Sequence, residues 1–274
     1  MQSAIVDRAL DVAVTLICWL YFTLGFLVFF SPRYLAAALF SSQPELAFQR
    51  LNRSFYRGFF ALLRTIAPRQ QWVVDERIKT LHSAVIVCNH LSYLDPLLLI
   101  ALLDRSKTVV KPIFFSVPIF GWLIRTAGYF PATATGKFAG LMLTQMESMA
   151  SYLAAGGNLF IFPEGTRGRD GRIGTLNQGA LKIARHCGAP VHVLCLRNTD
   201  RLFIPGVFFF STRTPNCISV RQVDHFLPGE LQGRLSDLST RIRQALESCL
   251  SETSPQEGDH NRELPSIMPS ETKR

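Results

Sequence analysis

The chain has 274 residues, enough for one sizeable domain. Its 29 Lys and Arg outweigh 20 Asp and Glu, giving a net charge of +9, while 48% of the residues are hydrophobic and 21 are Phe. That balance suits an anionic membrane surface. With no zinc-finger spacing, RNA-binding aromatic motif or basic heptad pattern, it argues against a nucleic-acid partner.

The first element is the stretch Val12 to Phe30, 19 residues without a charge. At about 1.5 Å per residue it nearly spans a hydrocarbon core of roughly 30 Å, so it reads as a membrane-attachment helix. Asp7 and Asp11 argue against a cleaved basic leader, and Pro32-Arg33 is expected to interrupt the run. Arg33, Arg50, Arg53, Arg57, Arg64 and Arg69 follow it, which favours a cytoplasmic remainder. Phe55, Phe59, Phe60, Leu62 and Leu63, interleaved with arginines, suggest an amphipathic helix. It either lies in the headgroup layer or packs on the domain.

Beyond residue 69 the pattern alternates. Ala84 to Cys88, Asn158 to Phe162 and Pro190 to Leu196 read as buried strands, with helices over Phe138 to Ala155 and Gly179 to His186. The expected fold is α/β, a mixed, largely parallel sheet flanked by helices. Three regions follow: membrane-anchoring helices over 1–69, a catalytic domain over 70–250 and a disordered tail over 251–274. The six cysteines Cys18, Cys88, Cys187, Cys195, Cys217 and Cys249 are scattered, which predicts reduced core residues and neither a disulfide nor a zinc framework.

Two segments carry chemistry. The strand ending at Cys88 runs into Asn89-His90-Leu91-Ser92-Tyr93-Leu94-Asp95-Pro96, placing an imidazole and a carboxylate where α/β sheets build sites. Asp95 either orients His90 as a general base or is only an N-cap, with Pro96 at the first helical position. The strand ending at Phe162 delivers Pro163-Glu164-Gly165-Thr166-Arg167-Gly168, a glycine turn whose guanidinium suits a phosphate. No Gly-x-Ser-x-Gly elbow is present, and Gly174 to Gly179 lacks the Lys-Ser/Thr of a phosphate loop. His82, His186, His192 and His225 have no metal-ligand spacing, so no metal is expected.

Asn89-His90 with Asp95, then Phe162 to Gly168 some seventy residues later, closely resemble the glycerolipid acyltransferase family that includes 1-acylglycerol-3-phosphate acyltransferases. The resemblance covers roughly residues 70 to 225. It implies that His90 is the base and Asp95 its orienting partner, with Glu164, Gly165 and Arg167 on the phosphorylated acceptor; Asn89 and Thr166 join them as expected substrate contacts. It also implies a lysophospholipid acceptor, acyl-CoA or acyl carrier protein as donor, membrane lipid as the setting, and no cofactor. Lys111 to Trp122 and Gly128 to Pro131 resemble the family's intermediate region. The sequence departs from the family at Thr133 and Ala134, where an acidic residue and an arginine are usual, leaving Lys111, Arg125 or Lys137 as substitutes. It departs again at Leu176 to Gln178, which lack the usual aromatic and basic residues, and at Val193, where proline is common. These gaps admit another acceptor, such as a lyso-aminolipid like lyso-ornithine lipid. A membrane-bound hydrolase in which His90 activates water is a rival reading, and the missing family residues also admit a non-catalytic lipid-binding or remodelling scaffold.

Overall fold

A computed structural model describes residues 2–133, 135–165 and 173–252. Residues 2–40 form one continuous helical rod. Helix α1 (Gln2–Leu20) passes into a π-helical stretch (Tyr21–Phe30) and then α2 (Ser31–Phe40). The Ser31 N–H donates to the Phe26 carbonyl five residues back. Pro32 then falls in the first turn of α2, where its fixed φ and missing N–H are tolerated. The rod therefore continues past Pro32-Arg33, where an interruption was expected.

Ile5–Phe40 is long and apolar enough to cross a membrane, with mean hydropathy 2.3, and 17% of its apolar window is buried. Most of its side chains thus face away from the protein. Its N-terminal half is tied down by the aspartates that looked out of place in a leader: Asp11 Oδ1 accepts from Thr212 N at 2.8 Å and Thr212 Oγ1 at 2.6 Å, and Asp7 pairs with Arg213 at 3.0 Å.

Helix α3 (Pro44–Ile66) settles the choice left open for the arginine-rich stretch. Phe48, Phe55, Phe59, Phe60 and Leu63 are buried against the domain, while Arg50, Arg57 and Arg64 are exposed. Each such apolar side chain contributes about 1.5–3 kcal/mol by leaving water. Aromatic rings join α3 to the π-helical stretch, Tyr21 on Phe55 at 5.0 Å and Phe22 on Phe59 at 4.7 Å. The Tyr21 hydroxyl donates to the Phe55 carbonyl at 2.7 Å. Gly58 makes room for it, since a Cβ there would collide with that hydroxyl.

After α3, the chain order is β1 (Gln70–Val74), β2 (Val85–Cys88), α4 (Leu94–Leu102), β3 (Ser106–Val110), α5 (Phe120–Thr126), β4 (Phe130–Pro131), α6 (Ala139–Glu147), α7 (Met149–Ala154), β5 (Asn158–Ile161), α8 (Gly179–Cys187), β6 (Val191–Arg197), α9 (Thr199–Leu202), β7 (Asn216–Phe226) and α10 (Leu235–Ser251). The seven strands pair in the order β1-β7-β6-β2-β5-β3-β4. Every pairing is parallel except β6 with β7. β2, β3, β4, β5 and β6 therefore all end at one edge of the sheet.

Alternation along β2 covers both faces. Ile86 and Cys88 share a core with α3, α4 and α5, whereas Val85 and Val87 share one with α7, α8 and α10. Burial on both sides explains why the central strands read as unbroken apolar runs. The cysteine expectation is corrected at one pair: Cys195 of β6 and Cys249 of α10 are disulfide-bonded, their Cα atoms 6.6 Å apart, because α10 packs directly on β6. Cys18 and Cys88 are buried and free. Of the tail expected from residue 251, Ser251 ends α10 and residues 253–274 lie outside the described set.

A lysine lies inside. Lys107 of β3 is buried, pairs with Glu45 of α3 at 2.9 Å, donates to Gln145 of α6 at 2.7 Å and sits 4.3 Å from the centre of the Tyr152 ring. Burial lowers its pKa from the ordinary lysine value, opposed by the Glu45 carboxylate.

Candidate active site

Strand β2 ends at Cys88, and the next two residues turn out of the sheet. Asn89 fixes that turn: its amide nitrogen donates to the Leu196 carbonyl and its oxygen accepts from Leu196 N, both at 2.8 Å. The side chain is wholly buried and both its polar atoms are spent on β6. Asn89, expected among the substrate contacts, holds the His90 loop to the neighbouring strand with both its polar atoms.

His90 Nδ1 lies 2.9 Å from Asp95 Oδ2. The same carboxylate oxygen accepts from Leu91 N at 2.6 Å and Ser92 N at 2.8 Å, and Oδ1 accepts from the Thr199 hydroxyl at 2.5 Å. The helix begins two residues earlier than expected, with Tyr93 at the N-cap. Asp95 thus sits inside the first turn of α4, not at the N-cap, and turns its carboxylate back onto the preceding loop. Four donors surround a carboxylate with no exposure to solvent, which repays its burial. With Nδ1 directed at Asp95, Nε2 is the ring nitrogen on the side away from the carboxylate.

The imidazole is held from a second side by Phe162, stacked at 4.3 Å between ring centres. Phe162 follows β5, the parallel neighbour of β2, so the register Val87 to Ile161 brings the two motifs together. Glu164 Oε1 accepts from His90 N at 3.3 Å, and Oε2 accepts from Gly174 N at 2.9 Å. In this arrangement the glutamate braces the histidine loop against the residues entering α8. Gly165 adopts φ +66°, the left-handed conformation that favours glycine in such a turn. Thr166 and Arg167, the remaining expected contacts, lie outside the described residues, as does Ala134.

Thr199 and Phe162 are the contributors that sequence reasoning did not single out. A signal existed for the first: Thr199 follows the end of β6, which leaves the sheet at the same edge as β2. Asp200, beside it, has its carboxyl pKa raised above the usual range, first by burial and then by the nearby Asp95. Of the proposed substitutes for the missing arginine, Arg125 donates to the Phe115 carbonyl at 2.5 Å. His192 bonds Gln222 at 3.2 Å and lies alongside His225, and no group of His, Cys, Asp and Glu among the described residues could hold a metal.

Comparison with known proteins agrees with this geometry. The acyltransferase family model matches residues 71–197, from β1 to the end of β6. A chloroplast 1-acyl-sn-glycerol-3-phosphate acyltransferase of Brassica napus is 30% identical over 166 residues, 59% of this chain and 48% of the relative. One from Arabidopsis thaliana is 32% identical over 166 residues, 59% of this chain and 46% of the relative. The chain thus spans about half the length of the curated relatives it matches. The crystal structure of the 1-acyl-sn-glycerophosphate acyltransferase PlsC from Thermotoga maritima superposes with a TM-score of 0.68 at 20% identity, covering 90% of this chain and 98% of the other, which establishes a shared fold. Residues 71–197, which hold the His90 and Glu164 motifs on adjacent strands, thus match the acyltransferase family model.

Proposed function

We propose that this chain is a membrane-attached O-acyltransferase that moves a fatty acyl group from acyl-CoA or acyl carrier protein to the free hydroxyl of 1-acylglycerol-3-phosphate. The observation that carries the reading is the His90–Asp95 pair, 2.9 Å apart at the strand edge, with the aspartate fully buried and the histidine partly open. Relatives named for that acceptor support the choice of lysophosphatidate.

In this mechanism His90 Nε2 takes the proton of the acceptor hydroxyl as its oxygen attacks the thioester carbonyl. The C–S bond breaks, an ester forms, and the departing thiolate takes the proton back from His90. Asp95 fixes the tautomer and stabilises the imidazolium, a contribution of about 10²- to 10⁴-fold. Because the donor is already activated, alignment supplies much of the rest. Thr166 and Arg167 grip the acceptor phosphate, with Glu164 and Gly165 shaping the turn that presents them.

In this reading attachment falls to the rod Ile5–Phe40, and the arginines that follow it favour a catalytic domain on the cytoplasmic face. The test is to incubate the purified full chain with labelled acyl-CoA or acyl carrier protein and a panel of lysolipids, read by mass spectrometry. Appearance of the diacyl phosphate is expected. Release of free fatty acid alone would replace this reading with hydrolysis, and acylation of a phosphate-free lysolipid in preference would replace the acceptor.

A further inference from the structure

Between Arg201 and Arg213 runs a stretch without charge, Leu-Phe-Ile-Pro-Gly-Val-Phe-Phe-Phe-Ser over 202–211. It leaves the sheet edge that carries His90, directly after α9. Pro205 and Gly206 form a tight turn in which Val207 N donates to the Ile204 carbonyl at 3.0 Å and Gly206 takes φ +86°. That pattern, proline second and a positive-φ glycine third, is a type II turn that shapes the tip of the loop. It presents Ile204, Val207, Phe208 and Phe209 to the outside, exposed by 42%, 44%, 55% and 46%. Phe210 turns inward and closes the loop on the core.

We propose that the loop Ile204–Phe209 is a second membrane-inserting element, which enters the apolar edge of the bilayer beside the N-terminal rod and sets the depth of the active site. The proposal rests on the membrane-attached reading above. Continuity identifies the occupant: Trp19 of α1 stacks on Phe208 at 5.3 Å with planes 8° apart, and Leu16 and Leu20 beside it are exposed. Loop and helix are also bonded, Phe210 N donating to the Thr15 hydroxyl at 3.0 Å. A contiguous apolar surface of this kind, with Arg201 exposed at its base, marks an interaction site, and aromatic residues suit the interfacial layer of a bilayer. The other end of the loop reaches the chemistry. Ser92 Oγ donates to the Phe203 carbonyl at 2.9 Å, so the loop and the His90–Asp95 turn move as one piece.

The experiment uses the full chain reconstituted in phosphatidylcholine vesicles containing phosphatidylglycerol. Phe209→Trp adds a fourth tryptophan, and its fluorescence is followed with lipids brominated at different acyl depths. Quenching of the added emission by shallowly brominated lipid, at least twofold above that of the parent chain, is expected. Added emission that bromolipid leaves unchanged would overturn the proposal. So would a blue shift that grows with protein concentration in detergent without lipid, which would assign the loop to a contact between copies of the chain. A second variant, Phe208→Ser/Phe209→Ser, should lose about tenfold in activity towards vesicle-borne lysophosphatidate while keeping activity towards a short-chain acceptor dissolved as monomer; equal loss on both would also count against it. The quenching measurement needs no catalysis, so failure of the acyltransferase reading and failure of this one are told apart.

Discussion

The Thr199 hydroxyl donates to Asp95 Oδ1 at 2.5 Å, joining the turn after β6 to the first turn of α4 across 104 residues of sequence. Both side chains are buried, so this bond has no water to replace it. Thr199→Val would leave a carboxylate oxygen short of a donor, at about 1–3 kcal/mol. If about 1.4 kcal/mol of that is felt in the transition state, kcat falls about tenfold with little change in either KM. Thr199→Ser restores the hydroxyl and should recover most of the rate. Equal activity of the valine variant would make the bond incidental.

His90→Ala should lower the transfer rate by about 10²- to 10⁴-fold or more, leaving the far-ultraviolet circular dichroism and membrane binding unchanged. Retention of a tenth of the activity would remove His90 from its role.

Asp95→Asn tests the partner. The amide presents one acceptor where the carboxylate has two, against four donors, and it cannot stabilise an imidazolium. Strong impairment of kcat is expected, together with a lower melting temperature. A fully active Asp95→Asn would return this residue to a purely structural place.

Arg167→Ala should raise the acceptor KM by about 10- to 100-fold, the equivalent of roughly 1.5–3 kcal/mol for a lost charge-assisted contact, and leave the donor KM alone. Arg167→Lys should recover only part, since a point charge does not reproduce the planar fork. A change confined to the donor KM, or equal loss with phosphate-free acceptors, would sink the assignment.

Asp200 supplies a pH test. Burial and the neighbouring Asp95 raise its carboxyl pKa above the ordinary 3.8, so the folded chain holds this proton more tightly than the unfolded chain. The stability it contributes is full below the unfolded value and is lost as pH rises through the folded one. Asp200→Asn removes that loss. Its melting temperature should match the parent's near pH 4 and exceed it at pH 7; a difference independent of pH would rule the linkage out.

The parts of the fold legible in the sequence were those whose burial is written locally. β2, β5 and β6 are apolar on both faces, and each was read within a residue or two. Strands β1 and β3 were not. β3 begins Ser106-Lys107-Thr108, polar residues that become buried because Glu45, Gln145 and the Phe160 carbonyl meet them from distant segments. Gln70 of β1 is likewise satisfied by the carbonyls of Thr212 and Thr214. In the site, His90 and Asp95 lie five positions apart and could be paired by inspection. The roles of Asn89 and Thr199 depend on β6 lying beside β2, which no local pattern announces.

The buried lysine of β3 also bears on how the molecule can be divided. Residue 69 lies between the helices expected to anchor the chain and the sheet expected to do the chemistry, yet the counter-charge to Lys107 comes from Glu45, on the anchoring side. A polypeptide begun at residue 70 would keep the ammonium and discard its carboxylate, together with the aromatic lid of Phe48, Phe59 and Phe60. The helices before residue 70 and the sheet are thus welded by this buried ion pair, by Arg53–Asp104 and Asp7–Arg213 nearer the surface, and by the rings around them, and a water-soluble fragment is better sought by recolouring the outward-facing side of the rod with polar residues than by cutting the rod away.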